Sequence, residues 1–116
     1  MAIKYVFTFS NNSNGVTIYP DNHGSLPLDY LTRIFATCDP KNFSNATGVE
    51  CQGFYKGVPE TSFRLEYIVA EPVRNIEGYA AWIAEKFQQE CVLLETYSEK
   101  SYNACLVDSK SNITQI

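Results

Sequence analysis

The sequence predicts an α+β fold, an antiparallel sheet with two helices on one face. Three observations predict it. Apolar residues recur at helical spacing over residues 26–37 and again over 73–89. Strand-like alternation precedes, separates and follows these two segments. The joining stretches are short and rich in Gly, Pro, Asn and Ser, the residues that turn a chain.

Each element has its own signal. Ile3 to Phe9 alternates as Ile-Lys-Tyr-Val-Phe-Thr-Phe, which suits a strand. Ser10-Asn11-Asn12-Ser13-Asn14-Gly15 is a polar turn and Val16 to Tyr19 a short returning strand, which Pro20-Asp21-Asn22-His23-Gly24 breaks. Ser25 is placed to cap the first helix, and Pro27 fits its first turn, where a missing N–H costs nothing. Leu28, Leu31, Phe35 and Cys38 then share one helical face. Asp39-Pro40 ends that helix, and residues 39–48 read as an irregular polar loop.

Val49 to Tyr55 reads as a strand, and Gly57-Val58-Pro59 turns the chain. Thr61 to Ala70 is the clearest strand: Phe63, Leu65, Tyr67 and Val69 on one face, Ser62, Arg64, Glu66 and Ile68 on the other. Glu71-Pro72 opens the second helix, 73–89, with an apolar stripe of Ile76, Tyr79, Ala80, Ile83 and Phe87. Trp82 beside that stripe reads as packing, and Glu77, Glu85, Lys86 and Gln89 as solvated. Cys91 to Tyr97 and Tyr102 to Val107 form a hairpin around Ser98-Glu99-Lys100-Ser101. The last nine residues are polar and read as loose.

With the extra hairpin strands set aside, the order is βαββαβ, the split βαβ pattern of a ferredoxin-like sandwich. Two helices cover one sheet face in that layout. Phe7 and Phe9, and Ile68, put apolar side chains on both faces, so the second face calls for oligomerisation.

Composition narrows the function. At 116 residues, the chain reads as a single domain over 1–116. An apolar share of 45% against 19% charged supports a packed core rather than disorder. The net charge of −4, with nine Lys and Arg scattered, argues against a nucleic acid partner. No apolar run reaches the ~18 residues of a membrane span. The N-terminal segment lacks the layout of a signal peptide, so a cytoplasmic protein is expected. The Asn-x-Ser/Thr triplets at Asn11, Asn42, Asn45 and Asn112 then read as loop composition. Cys38, Cys51, Cys91 and Cys105 contain no Cys-x-x-Cys, and His23 is the one histidine, so no zinc site is expected. The thiols read as small buried hydrophobes. Eight Tyr and seven Phe serve core packing first and stacking on a planar ligand second.

Two segments stand out as functional text. Gly53-Phe54-Tyr55-Lys56-Gly57-Val58-Pro59-Glu60 offers a Tyr and a Glu on a Gly/Pro-punctuated loop that feeds a strand. Phe87-Gln88-Gln89-Glu90-Cys91-Val92-Leu93-Leu94 switches sharply from helix to strand and reads mainly as scaffold.

Together with Thr47-Gly48, with Glu60 before Phe63-Arg64-Leu65, and with Asn103-Ala104-Cys105-Leu106-Val107, these segments resemble the phage-encoded S-adenosylmethionine (SAM) lyases. The resemblance spans residues 47–107. It implies a GlnB-like α/β sandwich assembled as a homotrimer with active sites between subunits. It implies SAM as substrate, split into 5'-methylthioadenosine and L-homoserine lactone, with no metal and no cofactor. Phages use such enzymes against host restriction–modification. On this resemblance Glu60 and Tyr55 are the candidate catalytic residues, and Ser62 and Glu66 the candidate substrate-binding residues. The loop from Tyr55 to Glu60 is shorter here than in the family, so Glu66 is also an alternative for the working carboxylate. Two other readings stand beside the enzyme: a non-catalytic trimeric binder that sequesters a small molecule such as a nucleotide, and a protein whose aromatic surface binds a host protein.

Overall fold

The computed structural model describes residues 2–10, 12–13, 16–17 and 27–116, with backbone alone for 12–13 and 16–17. The chain runs β1 (Ile3–Ser10), β2 (Asn12–Ser13), β3 (Val16–Thr17), α1 (Pro27–Cys38), α2 (Pro40–Phe43), β4 (Thr47–Tyr55), β5 (Val58–Val69), α3 (Ile76–Lys86), β6 (Val92–Tyr97), β7 (Tyr102–Val107) and β8 (Ile113–Gln115). Six strands form one sheet in the order β4-β5-β1-β6-β7-β8, and every neighbouring pair is antiparallel. The first four in that order are the ferredoxin-like arrangement, with β1 between β5 and β6. The small β2–β3 hairpin stands apart from this sheet. The end of the expected returning strand at 18–19, the break at 20–24, His23 and the Ser25 cap lie outside the described residues.

Alternation decides which face is covered. Ile3, Tyr5, Phe7 and Phe9 pair across the sheet with Val69, Tyr67, Leu65 and Phe63, and all eight are buried. Val92, Leu94, Cys105 and Val107 extend the same layer. Leu31 and Phe35 of α1, and Ile76, Ala80, Ile83 and Ala84 of α3, close it. Aromatic edges fill its centre: the Phe43 ring lies 4.6 Å from Tyr67 and 5.4 Å from Phe35. Tyr30 stacks on Trp82 at 6.2 Å, so that tryptophan is packing.

Phe43 belongs to a short helix where a loop was expected. Asp39 accepts from the Asn42 backbone N–H and from Asn42 Nδ2, and Pro40 fills the first helical position. A second departure is the tail. Ile113–Gln115 pairs with β7 instead of lying loose, because the Asp108 carboxylate gathers the N–H groups of Lys110 and Asn112 into a turn. Third, α3 is shorter than 73–89. Asn75 (φ 56°) precedes its start, and Gln88 (φ 52°) is left-handed just past its end. The cysteines also differ from expectation: Cys105 is buried, Cys91 half-buried, and Cys38 and Cys51 exposed.

Among the described residues, no helix covers the opposite sheet face. Phe7 and Phe9 point away from it, whereas Ile68 stands on it 70% exposed. Ion pairs cross it, Lys4 to Glu66 at 3.7 Å and Arg64 to Glu95 at 3.8 Å. Between these pairs Val6 is fully buried, flanked by Glu66 and Glu95.

Candidate active site

The β4–β5 hairpin outruns the sheet. β1 pairs with β5 only over residues 62–69, so among the described residues the arm from Gln52 to Thr61 has no further strand beside it. Its tip is a two-residue turn, Lys56 (φ 51°) and Gly57 (φ 79°), between the paired Tyr55 and Val58. Positive φ at both positions marks the turn whose twist suits a hairpin, and glycine takes the second at no steric cost. The expected loop from Tyr55 to Glu60 is therefore this tight turn followed by strand. Glu60 lies within β5, opposite Gly53.

Period-two alternation puts Tyr55, Val58, Glu60 and Ser62 on the face without helices. Where the arm leaves the sheet, these residues border an open cleft of ≈ 760 Å³. Thr8, Leu93 and Leu106 belong to its sheet side, and Gln88, Gln89, Glu90 and Cys91 form the opposite wall. Gly53 of β4 pairs with Glu60 of β5, and an added Cβ there would run into the Ser62 hydroxyl.

The opposite wall is firmly mounted. After the left-handed Gln88, the Gln89 N–H bonds Ala84 O at 2.8 Å. The Gln89 side chain donates to Phe87 O at 2.9 Å and accepts from the Ser10 N–H at 3.1 Å. Gln89, expected to be solvated, thus joins the exit of β1 to the end of α3. Next to it, Glu90 accepts the Tyr55 hydroxyl at 2.7 Å, a bridge from wall to arm.

The cleft's polar groups favour a cation. Glu60 and Glu90 bring two carboxylates, while the Lys56 ammonium sits 5.2 Å above the Tyr55 ring. Burial, helped by the charges of Glu90 and Asp108, pushes the Cys91 thiol up, so it is a neutral wall group rather than a thiolate nucleophile. Among the described residues, no group of three His, Cys, Asp or Glu is arranged to hold a metal ion.

Three of the four expected site residues, Tyr55, Glu60 and Ser62, meet at this cleft. Glu66 does not border it and pairs with Lys4 further along β5. Glu90, which also borders the cleft, was not among the expected site residues. Its signal was available in the abrupt helix-to-strand switch, since a wall built at such a switch can aim a side chain.

No family model matches the chain. No curated protein matches it. Two solved structures do. One is a phage SAM lyase in its apo state, with a TM-score of 0.63 and 16% identity, over 98% of this chain and 87% of that one. The chain has the fold of a phage SAM lyase. The other is a phage SAM lyase in complex with S-methyl-5'-thioadenosine, with a TM-score of 0.61 and 14% identity, over 89% of this chain and 88% of that one. The SAM lyase fold thus accounts for nearly the whole chain, including the strands that carry the cleft. Among the described residues, no helix is long and apolar enough to cross a membrane.

Proposed function

We propose that this protein is a SAM lyase that works as a homotrimer with intersubunit active sites in the host cytoplasm, where it depletes the methyl donor of restriction–modification systems. The observation that carries the reading is the meeting of Tyr55, Glu60 and Ser62 at one cleft, in a fold of which a solved example holds S-methyl-5'-thioadenosine.

The proposed chemistry needs little from the protein beyond shape and field. The substrate's own carboxylate oxygen attacks its γ-carbon. The bond from that carbon to sulfur breaks, and its electron pair leaves on sulfur, giving neutral methylthioadenosine and homoserine lactone. The nucleophile is already an anion, so no general base is required. Holding both groups in reacting geometry is worth about 7–11 kcal/mol. Carboxylate and sulfonium charges cancel in the transition state, so a cleft with few waters favours it. Glu60 holds the substrate ammonium by charge-assisted hydrogen bonds, Tyr55 and Ser62 orient the methionine portion, and the arm's aromatic and apolar groups cover the nucleoside.

Incubation with SAM in ¹⁸O-water tests the reading. Methylthioadenosine with unlabelled lactone is the expected outcome. Labelled homoserine released with no lactone precursor would point to hydrolysis. Tight binding without turnover would favour the sequestering protein instead.

A further inference from the structure

Glu90 is more elaborately placed than a solvated glutamate requires. It follows a left-handed Gln88, and Gln89 beside it is bonded both to the end of α3 and to Ser10 of β1. That mount is rigid, whereas Tyr55 rides at the tip of an arm with a single neighbouring strand. The 2.7 Å bond from the Tyr55 hydroxyl to Glu90 Oε2 joins the two across the cleft.

The direction of this bond has a chemical meaning. A phenol has one proton to donate and lone pairs to accept with. A carboxylate can only accept, so Glu90 claims the Tyr55 proton. The tyrosine oxygen is left to face the cleft as an acceptor, its electron density raised by the charged partner. An acceptor suits a ligand that is cationic at both its ammonium and its sulfonium, and a free hydroxyl that swings its proton into the cleft would not.

From this geometry we infer that Glu90 is a positioning residue: it fixes the Tyr55 hydroxyl as an acceptor toward the cationic substrate and anchors the arm over the cleft. The inference rests on the lyase reading above, and it concerns how the same site is oriented. Glu90 acts through Tyr55, while Glu60 touches the substrate directly.

A double-mutant cycle separates this role from its rivals. The variants are Tyr55→Phe, Glu90→Ala, Glu90→Gln and the combinations on Tyr55→Phe, each measured for kcat/KM on SAM or, should SAM bind without being turned over, for SAM affinity by calorimetry. In the Tyr55 background, Glu90→Ala should lower kcat/KM about 10- to 100-fold, the worth of a hydrogen bond to a charged group. Glu90→Gln, whose amide oxygen can still accept, should recover part of it. In the Tyr55→Phe background both Glu90 substitutions should have almost no further effect. Losses that multiply across the two backgrounds would overturn the inference and make Glu90 a direct substrate contact. Equal loss for Ala and Gln would also overturn it, because acceptor geometry would then be irrelevant. If the unsubstituted protein binds SAM without turning it over, the lyase reading fails. The same cycle in SAM affinity still decides the role of Glu90, because SAM carries the cationic groups that the Tyr55 oxygen would face.

Discussion

At the residue scale, two groups invite substitution for opposite reasons. Glu60 is half-buried on the cleft side of β5, with Gly53 opposite and Ser62 two residues along. Glu60→Gln keeps its size and removes its charge. Turnover should fall about 10- to 100-fold, the range for a hydrogen bond to a charged partner, with particle size by light scattering unchanged. Near-normal turnover would transfer the role to Glu66. Tyr67 is the reverse case. Its ring is fully buried against Phe35 and Phe43, and its hydroxyl has no hydrogen-bond partner among the described residues. Tyr5 in the same layer shows the usual solution, accepting the Val73 N–H at 3.1 Å. Burial pushes the Tyr67 phenol far up, so it stays neutral, yet its stranded hydroxyl costs about 1–3 kcal/mol. Tyr67→Phe should therefore raise the urea midpoint, with a gain of about 1 kcal/mol. A loss of that size would reveal a partner for the hydroxyl.

At the scale of the element, periodicity explains what was legible. The faces of β1 and β5, the stripe of α3 and the βαββαβ order follow from alternation at two and at 3.6 residues, and the structure has them. What escaped notice was local and polar. Asp39-Pro40 was read as a stop when it is also a start, and one turn of helix delivers Phe43 to the core. Glu90 was read as scaffold because the Tyr55 bond joins residues 35 apart in sequence, a distance no pattern encodes. Tyr55, Glu60 and Ser62 were legible as a group because a strand puts alternate residues on one side.

The tail carries a pH prediction. Bonds from the Asn112 backbone and side chain, then from the Lys110 backbone, hold the Asp108 carboxyl below its usual 3.8. A carboxylate with a depressed folded value contributes stability above its unfolded value and loses it as pH falls through the folded one. Protection of the β7–β8 amides in hydrogen exchange should thus persist at pH 5 and fade below 3.8. Asp108→Asn should show weakened protection already at neutral pH. Unchanged protection in that variant would mean that strand pairing alone holds β8.

At the scale of the molecule, the sheet face that no described helix covers and the arm beyond it are where the proposed trimer would make its contacts. The arm tip exposes Phe54, Tyr55 and Val58 at 67%, 48% and 64%. The face itself is a charge-balanced mosaic. Glu95 accepts from both the Tyr97 and Tyr102 hydroxyls and pairs with Arg64, and the Tyr102 bond to Glu95, with partial burial, lifts the Tyr102 phenol to about 12. Such pairs are worth little in water and more when a neighbouring subunit excludes it. Light scattering should report a trimer, and the melting temperature should rise with protein concentration, as mass action requires of an assembly that binds only folded chains. A concentration-independent monomer would count against a site shared between subunits.

One strand has a further consequence. β4 ends the sheet on one side, and its nine residues, Thr-Gly-Val-Glu-Cys-Gln-Gly-Phe-Tyr, contain one charge and no proline. Strands at a sheet margin are ordinarily guarded by lysine, proline or a bulge against pairing with strangers. A subunit released from its neighbours would present this unguarded margin to any other chain. Dilution and mild denaturant should then favour aggregates seeded at β4, and in the proposed trimer subunit association would protect the protein's solubility as well as complete its site.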